Sequence, residues 1–118
     1  MLQGTPVFHT VMVHLENYLA IQLEDRFVNP RGVPHYLQAD FPRQTPNEVL
    51  VAACAISCVE HVIEAVAVDA HTARLLHMQV GQPCLSVVRR TWSDDRLASY
   101  ARLIYPGDRY KLRSRYKR

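Results

Sequence analysis

Between Val7 and Leu15 the chain alternates, with Val7, His9, Val11, Val13 and Leu15 on one side and Phe8, Thr10, Met12 and His14 on the other. A period of two is that of a β-strand, whose successive side chains point to opposite faces. "ENYL" interrupts the run as a turn and residues 20–28 alternate again, so the two segments read as an antiparallel hairpin. The return strand divides into Ile21, Leu23, Asp25 and Phe27 on one face and Gln22, Glu24 and Arg26 on the other. Its three consecutive charges therefore cannot share one task. Asp25 interrupts an apolar face and is expected to satisfy backbone groups or a nearby arginine. Arg26 is expected to pair locally with an acid or to anchor the exit at "VNP".

Pro30, Gly32 and Pro34 punctuate the next stretch, and "PHYLQADF" offers only a short helical turn. A helix is predicted from Pro46 to Ala53. Thr45 is its N-cap, Pro46 suits the first helical position, and Glu48 completes a capping box. "SCVEHVIEAVAV", 57–68, is rich in β-branched residues and reads as a strand with Val59, His61, Ile63 and Ala65 on one face. Asp69 can cap a short helix through "AHTARLLHM", ending near Gly81. Strands over 83–92 and 96–105 are then joined around "SDDR". "DRYKLRSRYK" alternates as a last strand whose basic residues share a solvated face. The class is α+β, a mostly antiparallel sheet of about six strands flanked by short helices.

At 118 residues, 48% hydrophobic and 21% charged, the chain has the material for one domain with one core, and disorder is excluded. No apolar run approaches the ~20 residues that span a bilayer, and the N-terminus lacks the marks of a signal peptide. Three cysteines in no framework spacing point to a reducing, cytoplasmic setting. Cys54, Cys58 and His61 form C-x3-C-x2-H, but no fourth ligand stands at paired spacing. The two cysteines read as small buried hydrophobes, and neither a metal nor a cofactor is expected. The formal charge of +3 conceals an asymmetry: six of fourteen basic residues lie in the last ten positions. The body is mildly acidic and the tail basic, which is not the footprint of a nucleic-acid-binding face.

Catalytic signatures are sparse. Nucleophile-elbow, P-loop and dinucleotide glycine motifs are absent. "EHVIE" supplies Glu60, His61 and Glu64, but in a strand His61 faces away from both acids. In the last hairpin, a two-residue turn at Asp94-Asp95 sets Ser93 opposite Arg96 and, continued without interruption, Arg90 opposite Ser99 and Val88 opposite Ala101. One face then presents Arg90, Ser99 and Tyr105, the other Arg89, Thr91, Tyr100 and Arg102. Either face can hold a small acid, with an arginine for the carboxylate and hydroxyls for orientation.

"QLEDRFVNP", "TPNEVL", "EHVIEAV", "PCLSVVRRTW" and "ARLIYPGDRY", in this order, resemble the effector-binding (UTRA) domain of GntR-type transcription regulators, and within it the HutC branch, the histidine-utilisation repressors. The similarity runs from Gly4 to Tyr116, and the domain is taken as residues 4–118. The resemblance implies a chorismate-lyase-like α+β fold that binds a small metabolite, dimerises and is not an enzyme. It also implies operator DNA as a partner, reached only through an N-terminal winged helix-turn-helix domain that this chain lacks. The opening edge of the sensor is likewise expected to be truncated. For the branch, the effector is urocanate, whose binding relieves repression of histidine catabolism. Another small carboxylate is the alternative, and a chorismate-lyase-like enzyme a more remote one.

Carried over position by position, the resemblance names an effector site. Sugar-phosphate sensors of the family have arginines where Met12 and His14 stand, so a smaller monoanion is implied here. Glu24 matches the family's second-strand acid, Thr45 and Asn47 its helix-start residues, and Ser99 and Tyr105 its penultimate-strand pair. In the resulting scheme Glu24 accepts the imidazole N–H of urocanate, and His14 or Tyr105 lines the ring. The helix start at Thr45 and either Arg90 or Arg102 take the carboxylate. Ligand binding orders the loop over 29–45 and shifts the dimer.

Overall fold

A computed structural model describes residues 7–31, 36–39, 41, 43–53 and 55–117, without the side chains of 47 and 51–53. Strands β1 (Phe8–Glu16) and β2 (Leu19–Val28) form the first hairpin. Asn17 and Tyr18, both at positive φ (51° and 66°), make the two-residue turn that matches the right-handed twist of the strands. A 3-10 turn over Tyr36–Gln38 and helix α1 (Pro46–Ala53) follow, then β3 (Cys58–Ala67), α2 (Ala70–Leu76), β4 (Pro83–Ser93) and β5 (Arg96–Pro106). The five strands form one antiparallel sheet in the order β1-β2-β5-β4-β3.

Local chemistry sets these boundaries. Thr45 Oγ1 accepts from the Glu48 N–H at 3.2 Å and donates to Glu48 Oε1, a side-chain-paired N-cap that starts α1. Asp69 caps α2 by accepting from the Thr72 N–H at 2.8 Å. His77, in the left-handed region at φ 53°, ends α2 at Leu76, earlier than the expected stop near Gly81. The guanidinium of Arg109 donates to the carbonyls of Leu76 (2.6 Å), His77 (2.9 Å) and Ala20 (3.0 Å), placing a cation on the negative end of α2. That contact explains why residues 110–117 are not the strand their alternation suggested. Arg109 turns inward to the helix, the Tyr110 ring stacks on Tyr105 at 3.9 Å, and the tail leaves the ladder.

The sheet has two unlike faces. On one, α2 packs Ala73 and Leu76 onto Ala20, Leu23, Cys84 and Ile104, and this is the main core. On the other, Val28, Tyr36 and Leu50 make a smaller cluster under α1, joined by Phe8, Phe41 and Val49. Beside it Val87, Ala101 and Leu103 form a third apolar patch with Tyr105. Asp25 lies on the α2 face, where it pairs with His9 rather than with an arginine or the backbone. The edge strand β3 is exposed at nearly every position. Cys58 is exposed on it, not buried as its apolar neighbours suggested, while Cys54 falls outside the described residues. In β3, Glu60 pairs with Arg90 and His61 with Arg89, so the acid and the imidazole do point to opposite faces.

Candidate functional site

Glu24 occupies the middle of β2, flanked by Met12 on β1 and Leu103 on β5. It is buried, and both oxygens are engaged: Oε1 accepts from His14 Nε2 at 2.9 Å and Oε2 from Arg26 Nε at 2.8 Å. Arg26 is only 1% exposed, and its Nη1 donates to Ser99 Oγ at 3.3 Å. Strand geometry produces the pair, because residues two apart share a face. Desolvation makes it obligatory, since neither charge is tolerable there alone. His14, opposite Gln22, is the more open member of the trio.

The surrounding groups close the network. Gln22 Nε2 donates to the Tyr105 hydroxyl at 2.7 Å, and Thr10 Oγ1 and the Tyr36 hydroxyl are 2.9 Å apart. Burial raises the pKa of both tyrosines, which keeps them as neutral hydrogen-bonding groups. For Glu24 burial is also the largest influence and pushes its pKa up. The hydrogen bond from His14 and the charge and hydrogen bond of Arg26 together outweigh it, holding the carboxyl below its ordinary 4.5. A depressed folded-state pKa gives stability that is fully present above 4.5 and lost as pH falls through the folded value. Urea-unfolding midpoints are therefore expected to drop on acidification below that pH, and to drop less in Glu24→Gln, which has no carboxyl to protonate.

Of the residues singled out in the sequence, Met12, His14, Glu24, Ser99 and Tyr105 come together on this face. Thr45 is exposed and its hydroxyl serves the cap of α1. Asn47 lies in the first turn of α1, its side chain outside the described residues. Arg90 and Arg102 both lie on the opposite face: Arg90 donates to Glu60 at 3.1 Å and sits over the Tyr100 ring, and Arg102 stands across from Asp25. The expected hairpin register is corrected here. Ser93 does face Arg96, but Trp92 pairs with Leu97 and Thr91 with Ser99, leaving Ala98 as a bulge. The slip moves every later pair by one, setting Arg89 opposite Ala101 and Val88 opposite Arg102. Arg89, expected on the hairpin face opposite Ser99 and Tyr105, thus joins the face of Glu24 with Thr10, Gln22 and Tyr36, and none of the four was in the effector site implied by the resemblance. A hollow of about 460 Å³ at the hairpin tip, lined by Ser93, Asp94, Asp95, Arg96 and Ala98, carries two carboxylates and is poorly suited to an acid.

The model of the UTRA domain matches residues 1–111. The chain belongs to the UTRA domain family. The UTRA chain is 44% identical over 114 residues to the histidine utilization repressor of Klebsiella aerogenes, covering 97% of this chain and 47% of that protein. It is 43% identical over 118 residues to the one of Pseudomonas putida, covering 100% and 48%. The chain spans about half the length of the curated relatives it matches. Among solved structures, the C-terminal domain of the histidine utilization repressor from Pseudomonas syringae pv. tomato superimposes with a TM-score of 0.96 at 43% identity, over 100% of this chain and 84% of that one. The effector domain of PhnF from Mycobacterium smegmatis shares the UTRA fold at a TM-score of 0.86 and 21% identity, over 98% and 72%. Among the described residues, no helix is long and apolar enough to cross a membrane.

Proposed function

We propose that this UTRA domain is the small-molecule sensor of a transcriptional repressor of histidine catabolism, and that its effector is urocanate or a closely related imidazole-bearing acid. The buried Glu24–Arg26 pair, capped by the imidazole of His14, carries the reading. Each Glu24 oxygen keeps a second lone pair beyond its bond to His14 or Arg26, and that lone pair is the acceptor for the imidazole N–H of a ligand. Two histidine utilization repressors, each above 40% identical to this chain, supply the biological context. Met12 and His14 stand where a phosphate sensor would need cations, which favours a monoanion.

Coupling to the rest of the regulator would run through Tyr36. Its hydroxyl reaches Thr10 on the site face while its ring packs on Val28 and Leu50, so the segment leading into α1 is keyed to the occupied face. A homodimer is part of the proposal, and the open edge of β3, with Val59, Val62 and Ile63 exposed, is available to a second copy. Operator DNA would be contacted by a separate domain. Catalysis is the weaker reading: a carboxylate held below its ordinary pKa is a poor general base.

The test is calorimetry and thermal unfolding with urocanate, histidine, imidazole propionate and a sugar phosphate. Urocanate at a hundred times its dissociation constant should stabilise the fold by ~2.7 kcal/mol. Stabilisation by the sugar phosphate and none by urocanate would reject the assignment, and turnover of any compound would favour an enzyme.

A further inference from the structure

We propose that Arg89 anchors the carboxylate of the ligand, positioned by His61, across an apolar floor of Val87, Ala101 and Leu103 from Glu24. The inference rests on the reading of this face as the site of a flat imidazole-bearing acid. It assigns the second end of that ligand, which the arginines singled out from the sequence cannot reach.

The sheet register places the groups in rows. Arg26, Ala101, Arg89 and His61 stand opposite one another across β2, β5, β4 and β3. In the adjacent row, Glu24 faces Leu103 and Leu103 faces Val87. Two interstrand steps separate Arg89 from the Glu24–Arg26 pair, about 10 Å between backbones. Between them lie a methyl and two branched aliphatic side chains, already covered in this structure, with Ala101 at 0% exposure and Tyr105 packed against the patch, so a ligand reaches them only by displacing that cover. Such a strip suits a planar, conjugated body and offers it no hydrogen bonds.

Charge selects among the arginines. Arg26 is neutralised by Glu24, and Arg90 is paired with Glu60 on the other face. Arg89 is half-buried on the site face, and no carboxylate among the described residues lies within ion-pair distance of it. Among the described residues its side chain makes one hydrogen bond, from Nε to His61 Nε2 at 2.8 Å. Partial desolvation beside the sheet, and then the charge of Arg89, hold the exposed His61 imidazole below its ordinary pKa, so it accepts as a neutral base and brings no countercharge. That bond occupies Nε and leaves the paired terminal nitrogens of the fork, the geometry that grips a carboxylate in two parallel bonds.

The experiment titrates this chain and its Arg89→Gln and Arg89→Lys variants with urocanate and with 4-vinylimidazole, the same body without the carboxylate. Arg89→Gln should weaken urocanate about ten-fold or more, as loss of a charge-assisted contact does, and leave 4-vinylimidazole unchanged. Arg89→Lys, which keeps the charge but not the fork, should fall between. Unfolding midpoints of both variants, expected near that of the parent, separate this from damage to the fold. If Arg89→Gln binds urocanate as the parent does, or weakens both probes alike, the anchor is wrong while the parent's binding still supports the sensor reading. If the parent binds neither probe, both fall together.

Discussion

Glu24→Ala is expected to lower the unfolding free energy by ~3–5 kcal/mol, the cost of leaving a buried partner charge uncompensated. The stranded group is Arg26, which at 1% exposure cannot turn to water and, among the described residues, would keep only the Ser99 hydroxyl as acceptor. Glu24→Gln should cost less, because an amide oxygen can still accept from Arg26 Nε. The double variant Glu24→Leu/Arg26→Met should recover most of the stability, since an apolar pair of similar volume removes both desolvation penalties at once. Urea unfolding of Glu24→Leu, Arg26→Met and the double measures this coupling. A Glu24→Ala cost under about 1 kcal/mol would mean that Arg26 reaches solvent and the pair is not built as described. The recovered double variant also separates stability from recognition: on the proposed function it folds but no longer binds urocanate. If it binds as the parent does, Glu24 is structural only.

Period-two patterning made most of this fold legible. The first hairpin, α1 from Pro46 to Ala53 and the turn at Asp94-Asp95 follow from alternation, capping residues and turn chemistry, which act over a few neighbouring residues. The face that carries Glu24 was legible for the same reason, while its candidacy as an effector contact came from the family resemblance. Arg89 was not. Its face depends on Ala98 bulging out of β5, and a bulge in a run of small and apolar residues has no local signature. Arg26 was placed on the correct face, but its depth depends on neighbours remote in sequence, such as Ser99 on β5, 73 residues on. The tail misled because alternation reports what a segment can do, while the docking of Arg109 on α2 decided what it does.

Leu76→Ala should cost ~2–5 kcal/mol, the range for deleting a fully buried leucine and leaving a cavity. Leu76 is 0% exposed at the end of α2, packed in the cluster of Ala20, Leu23, Val68, Cys84 and Ile104. The backbone carbonyl that receives Arg109 survives the change, so the loss is one of packing and not of the helix cap. The urea midpoint should fall with little change in slope. Affinity for urocanate, measured well below the melting temperature, should stay near that of the parent, because the cavity opens on the face opposite Glu24 and Arg89. Sites without shared contacts behave independently to within a few tenths of a kcal/mol. A Leu76→Ala chain that remains folded and binds urocanate much more weakly would break that separation, because the sheet would then be transmitting a packing defect from one face to the other. Set beside Glu24→Ala, which should damage stability and binding together, the pair of variants asks whether β2 and β5 keep a structural side and a sensing side apart.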